Sequence, residues 1–434
     1  MIYFDFFSLP IKIIALMKLL HVIAEMDPAM GGVCQAVRTL VLGLEKLGVH
    51  NEVVSLDAPD AEFLVNDTFT THALGPGKGP WFYNAQLLPW LKENLAHFDV
   101  VVVHGLWLYH SYAVNKALDY LQSKIQNTPA LTSVLPKLFV MPHGMLDPYF
   151  QRAAGRKMKA IRNWFYWKLI ENKLINNATL LFTCEEELLL AKEPFKPYYP
   201  KNTVVVGLGV AQPPLYTDKM REAFLAVCPE LKTQPYLLFL SRINEKKGVD
   251  LLLKSYASVT ADEFSNSVNS TSIIESESIS EDDSWPQLIV AGPGLNSDYG
   301  QTQKQLVAKS PQLQKQVAFP GMLTGDAKWG AFYGCEAFVL PSHQENFGIA
   351  VVEALACGKP VLISNQVNIW REIADAKSGL VADDTLEGTN ELLLGWKRLS
   401  EEEKQSMRMQ ACNIFSSKFS IDSSSEKFLS AIAN

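Results

Sequence analysis

The feature that most constrains this chain is a repeated alternation of two kinds of segment. Short runs of Val, Leu and Ile, with no polar residue at every second position, are separated by longer stretches of helical periodicity. A strand that is apolar on both faces is covered on both faces, which is the habit of parallel sheets built from strand–helix units. In the first half the runs predict strands at 18–24, 52–55, 99–103, 138–142, 179–183 and 203–206, with amphipathic stretches near 33–47, 83–96, 110–121 and 156–176. The second half repeats the rhythm at 236–241, 287–292, 316–321, 337–342 and 360–364. The 434 residues exceed one ordinary core, and "GLGVAQPP" at 207–214 is a Gly/Pro segment suited to a linker. The expected fold is α/β, with two Rossmann-like domains at 17–210 and 211–415. A C-terminal helix within 416–434 is free to pack back on the first domain.

Charge narrows the function classes. The formal charge is −7 from 39 basic and 46 acidic residues, and 261–284 holds seven of the acids with no Lys or Arg. The remaining body is neutral, so nothing marks a nucleic-acid surface. The acidic, Ser-rich segment is too poor in apolar residues to repay its ordering and is expected to be a disordered surface insertion. The cysteines at 34, 184, 228, 335, 357 and 412 have neither zinc-ligand nor redox spacing and read as thiols in a reducing, cytoplasmic setting. Residues 1–16 are apolar but interrupted by Asp5, Pro10 and Lys12, which suits neither a secretory signal nor a membrane span. They read as a dispensable N-terminal extension ahead of Met17, the alternative being a membrane-surface anchor.

Open α/β sheets bind ligands at the carboxyl ends of their strands, and several of these ends carry distinctive turns. "DPAMGGV" opens a helix with Gly31 and Gly32, suited either to an anion at the helix start or to a tight turn. "SRINEKKG" sets Arg242 and Lys247 five residues apart, which suits a diphosphate or a solvated basic loop. "VAGPG" brings Gly292 and Gly294, and "FPGML" brings Met322 and Leu323; either could wall a nucleotide base, or be a loop only. In "HQENFGIAVVE", Glu345 precedes a helix and is free to accept from sugar hydroxyls, while the amides of Asn346, Phe347, Gly348 and Ile349 point out of the helix start. Glu353, among core-like neighbours, needs a partner: a diol such as a ribose, or a local cap or salt bridge. His143 closes the strand "KLFVMPH" and reads as a site residue rather than a core histidine; His104, in "VVVHGLW", is the competing candidate.

Together, the carboxylate–x7–carboxylate stretch, "SRINEKKG", "VAGPG", "DPAMGG" and "MPHGMLDP" resemble the signature of the retaining GT-B glycosyltransferases, family four (group 1), from about residue 17 to about 415. The resemblance implies two facing Rossmann-like domains with an interdomain cleft, the first for the acceptor and the second for the nucleotide sugar. It implies that Arg242 and Lys247 neutralise the leaving diphosphate, that Glu345 holds the sugar, that Glu353 holds the ribose, that Gly32 approaches the phosphate or acceptor and that His143 faces the transferring sugar. It also implies transfer to a glycan or lipid-linked acceptor with retained configuration, with peripheral membrane association at the inner face as one option. No metal or other cofactor is expected, since no Asp-x-Asp occurs. One departure is "NQVNIWREI" after the strand "PVLIS", where the family often has a Gly pair. The competing function is a nucleotide-sugar epimerase of similar architecture, which needs no acceptor.

Overall fold

The computed structural model describes residues 17–127, 134–152, 155–231, 234–269 and 285–433. The extension 1–16 lies outside the described residues. The chain divides into two compact units, residues 1–211 with 420–434, and residues 212–419.

The first unit contains β1 (Lys18–Val22), β2 (His50–Ser55), β3 (Thr70–Ala73), β4 (Val100–His104), β5 (Lys137–Met141), β6 (Thr179–Phe182) and β7 (Asn202–Val205). They form one parallel sheet in the order β3-β2-β1-β4-β5-β6-β7. The second unit contains β8 (Tyr236–Leu240), β9 (Gln287–Ala291), β10 (Val317–Gly321), β11 (Ala337–Leu340), β12 (Val361–Ser364) and β13 (Gly379–Ala382). These too are all parallel, in the order β10-β9-β8-β11-β12-β13. The strand order reverses between β1 and β4 in one sheet and between β8 and β11 in the other, the places where such sheets hold ligands.

The unalternating runs have a direct packing reason. Leu20, Val22, Val101 and Val103 belong to one apolar cluster, on the face that also holds Trp107 and Trp167. Leu19, Val100 and Val102, from the same two strands, belong to another with Leu40, Leu44 and Phe428. Successive side chains thus bury against opposite layers, each worth about 1.5–3 kcal/mol. The edge strands β3, "TTHA", and β13, "GLVA", lie half in solvent and need no apolar run, so neither carries the signal of the central strands.

The helix Ile421–Ala433 belongs to the first unit and places Phe428, Leu429 and Ile432 in its core. It crosses the helix Gly32–Lys46 at Gly43, where a Cβ would stand 2.0 Å from Ser425 Oγ. The sequence-based expectation for 261–284 needs correction. The helix after β8 runs from Val249 through Asn269, because no Gly or Pro interrupts it, so 261–269 is helical rather than loop. Residues 270–284 lie outside the described residues. No helix among the described residues is long and apolar enough to cross a membrane.

Candidate active site

Three strand ends of the second unit are laced together. Beyond β8, Ser241 N–H donates to Ala291 O at 3.1 Å and Ile243 N–H to Pro293 O at 2.7 Å, while Gly292 N–H donates to Gly321 O at 2.7 Å. Gly292 and Gly294 hold φ of 136° and 113°, and a Cβ on them would stand 1.9 Å from Ser241 O and 2.4 Å from Ile243 O. Both glycines therefore let neighbouring loops close on one another. On the next strand end Met322 is exposed and Leu323 is buried.

The turn after β8 carries the cations. Residues Glu245–Lys247 make one 3₁₀ turn that ends at Gly248 in the left-handed region. The turn is stitched to the loop after β11: His343 N–H donates to Lys246 O at 2.8 Å and the Ser342 hydroxyl to the same oxygen at 2.9 Å. This brings the buried Lys247 ammonium against the Glu345 carboxylate. Burial, then the charges of Lys246 and Arg242, push the pKa of Lys247 down to about 7. The touching carboxylate opposes that shift and favours the ammonium. Arg242 is exposed in the same loop.

Glu345 itself is fixed by the segment after β12, the one that departs from the family pattern. Glu345 N–H donates to Gln366 O and Asn368 N–H to Glu345 O, both at 2.9 Å, forming a small parallel bridge with Val367. The glycine-free "NQVN" thus acts as a brace. Gly348, at φ 75°, leads into the helix Ile349–Ala356, and a Cβ there would stand 3.4 Å from Glu345 Cγ. Glu345 therefore sits at a helix mouth whose first amides have no intrahelical acceptor. Of the residues at this mouth, Phe347 turns its ring into the core, edge-on to Phe419.

Glu353, one turn in, meets a residue that sequence reasoning missed. Lys328, from the helix Gly325–Gly334, places its ammonium 2.6 Å from Glu353 Oε1. Lys328 also stands over the Trp329 ring at 4.6 Å. No spacing rule links residues on different helices. Among the described residues, no group of three or more His, Cys, Asp or Glu side chains is placed to hold a metal ion.

In the first unit, Gly31 takes φ 113° and ψ −150° and Gly32 begins the following helix, with no atom within 4 Å of where a Gly31 Cβ would be. His143 follows β5 in a positive-φ conformation, at φ 52°. Its Nε2 lies 3.1 Å from Nδ1 of His104, whose Nε2 lies 3.0 Å from Nδ1 of His21. Burial lowers the pKa of His21 and of His143 to about 4, and that of His104 well below its usual value. His104 and His21 are sealed in the sheet, whereas His143 keeps part of its surface open. The turn around His143 is held by buried Glu187, which accepts from Gly144 N–H and, through its other oxygen, from the Thr183 amide and hydroxyl.

Residues 221–411 match the sequence model of the family described as glycosyl transferases group 1. A D-inositol 3-phosphate glycosyltransferase of Jonesia denitrificans is 25% identical over 224 residues, 49% of this chain and 48% of that one. A mannosylfructose-phosphate synthase of Agrobacterium fabrum is 28% identical over 149 residues, 34% of this chain and 29% of that one. The chain thus spans about half the first relative and under a third of the second. Among solved structures, a glycosyltransferase from Rickettsia africae superposes with a TM-score of 0.68 at 13% identity, over 96% of this chain and 97% of that one. Anabaena HepE, solved with UDP and glucose, gives a TM-score of 0.64 at 14% identity over 96% and 99%. Residues 221–411 thus carry a glycosyl transferases group 1 domain, within a GT-B fold shared along nearly the whole chain.

Proposed function

We propose that the protein is a retaining glycosyltransferase that moves a sugar from a nucleotide-diphosphate sugar to an acceptor hydroxyl, with no metal or other cofactor. The observation that carries this reading is the grouping at the ends of β8 and β11: a buried ammonium on a carboxylate, at a helix mouth, with a guanidinium in the same loop. Breaking a sugar–phosphate bond leaves a nucleoside diphosphate, and stabilising its growing charge is the largest catalytic demand. Arg242, Lys247 and the amides of residues 346–349 supply positive potential for that purpose. Lys247 would turn from Glu345 to the phosphate, leaving Glu345 to accept from sugar hydroxyls. Glu353, paired with Lys328, would accept from the ribose diol. Met322 and Leu323, beside Gly292 and Gly294, would border the base. Gly32 and His143, in the first unit, would serve the phosphate or acceptor and the sugar. That HepE was solved with UDP and glucose supports a nucleotide-sugar donor.

The acceptor would be a glycan or a lipid-linked glycan in polysaccharide or glycoconjugate synthesis, reached from the cytoplasmic side. A surface feature supports work at a membrane. Met158, Ile161, Phe165 and Leu169 stand exposed along one helical stripe with Trp164 beside them. The flanking charges in 156–173 are Arg156, Lys157, Lys159, Arg162, Lys168 and Lys173, and the only acid there, Glu171, is buried. Apolar stripes edged by cations suit an anionic lipid surface.

The test is thermal unfolding against a panel of UDP-, GDP- and ADP-sugars and the free diphosphates. A ligand at a hundred times its Kd stabilises by about 2.7 kcal/mol, so one nucleotide class should raise the melting point and Lys247→Ala should abolish the rise. If no member of the panel shifts the wild type, the reading fails. Conversion of a donor in the absence of any acceptor would favour the epimerase instead.

A further inference from the structure

The three histidines of the first unit form a staircase whose polarity is set at its far end. Asn51 on β2 pairs in register with Leu19 on β1, and His21 is two residues further along β1. His21 pairs with Val102 on β4, and His104 is two residues further. His104 pairs with Met141 on β5, and His143 is two residues further. Each step of two residues stays on one face of the sheet, so the four side chains climb across four adjacent strands to its carboxyl edge. The contacts repeat: Asn51 Oδ1 to His21 Nε2 is 3.1 Å, and the two histidine–histidine contacts are 3.0 and 3.1 Å. Successive rings are stacked at an interplanar angle of 28° in both cases.

Only one proton arrangement satisfies this chain. The Asn51 amide nitrogen donates to Val49 O at 2.8 Å, so its oxygen is the atom that faces His21. The oxygen can only accept, which places a proton on His21 Nε2 and leaves Nδ1 bare in the neutral ring. His21 Nδ1 then accepts from His104 Nε2–H, and His104 Nδ1 accepts from His143 Nε2–H. His143 Nδ1 is left as a lone pair, and it makes no hydrogen bond among the described residues. No carboxylate among the described residues hydrogen-bonds any of the three rings, so none is held as a cation. The chain is a dead end for proton relay, because the Asn51 amide is neither an acid nor a base at neutral pH.

We propose that Asn51, His21 and His104 are positioning residues that lock His143 as a hydrogen-bond acceptor, so that its Nδ1 takes an alcohol O–H of the ligand and discriminates against an unprotonated phosphate oxygen. The tautomer is independent of the glycosyl-transfer reading; the identity of the alcohol, a hydroxyl of the sugar or acceptor, rests on it.

The experiment is side-chain 15N NMR of the full chain labelled at histidine, with His143→Gln, His104→Gln and His21→Gln used for assignment. At neutral pH all three rings should show protonated Nε2 and bare Nδ1; a His143 ring protonated at Nδ1, or charged, overturns the proposal. Asn51→Leu removes the terminal acceptor and should let a second, Nδ1-protonated form of His143 appear, whereas Asn51→Gln keeps a neutral amide acceptor and should preserve the wild-type pattern. A merely structural role for Asn51 would leave the tautomer unchanged in Asn51→Leu, and that result also overturns it. Should Asn51→Leu not fold, the wild-type and Asn51→Gln spectra decide. For the ligand, removing the one hydroxyl that His143 receives should weaken donor binding about three- to tenfold in the wild type and not in His143→Ala. Failure of every donor to bind would sink the transferase reading and leave the NMR result standing.

Discussion

Gly248 offers a sharp test of how the loop that carries Lys247 is built. It closes the turn that carries Lys247, with φ 66° and ψ 27°. A Cβ there would stand 2.0 Å from Pro341 O and 3.0 Å from Pro341 C, main-chain atoms at the end of β11. Gly321, at the end of β10, shares the positive φ, at 80°, but has nothing within 4 Å of its would-be Cβ. Alanine at 321 therefore carries only the left-handed cost, about 1 kcal/mol. Alanine at 248 carries that cost and must also push a strand end aside, because a carbonyl oxygen cannot rotate away as a flexible side chain can. Overpacking of this kind costs about 1–3 kcal/mol, so Gly248→Ala should cost about 2–4 kcal/mol. In a unit of roughly 200 residues each kcal/mol moves the melting point about 2–4 °C. Scanning calorimetry should then show the second unit's transition falling about 4–16 °C for Gly248→Ala and about 2–4 °C for Gly321→Ala. Pro341 leads directly into Ser342 and His343, which hold the turn, so nucleotide affinity should fall as well. Equal melting points for the two variants would refute the close-approach argument.

The Lys247 pKa near 7 predicts pH-dependent binding. A diphosphate needs the ammonium, so affinity should decline above about pH 7, approaching tenfold per unit; Glu345 moves the onset upward. Arginine does not titrate there, and calorimetry on Lys247→Arg should give a flatter profile; a flat wild-type profile would count against the phosphate role. Glu171, fully buried with one oxygen taking Trp107 N–H, has its pKa raised by burial from 4.5 to about 7. Its contribution to stability is present below pH 4.5 and lost as pH rises through 7, so Glu171→Gln should remove a decline on the order of 2–3 kcal/mol between pH 5 and 8 in urea unfolding. Ile161→Ser with Phe165→Ser should abolish co-sedimentation with phosphatidylglycerol vesicles and leave melting nearly unchanged; equal binding by the double variant would remove the membrane argument.

Much of this fold could be read from residue order because each central strand faces two apolar layers. Leu19 and Leu20 point into different cores, so neither could be polar. Edge strands escape such reading: Thr70–Ala73 is half-exposed and bears the chemistry of a loop. The site divides along the same line. Glu345, Arg242 and Lys247 were visible because they sit at strand ends, where local sequence decides exposure. The Lys328–Glu353 pair and the brace by Gln366 and Asn368 were not, since each depends on how separate elements dock. His104 and His143 could be named, but their link to His21 and Asn51 depends on strand register, which no single segment encodes.

The last helix has a consequence for biosynthesis. The first unit's core includes Phe428 and Ile432, and the whole second unit, residues 212–419, is synthesised before them. At ribosomal rates of about 5–20 residues per second, that interval is on the order of ten to forty seconds. Throughout it, the apolar groove beside Gly43 waits uncovered on a nascent chain. The early half of this protein is therefore completed by residues 421–433, and a stop codon ahead of them would injure the part made first.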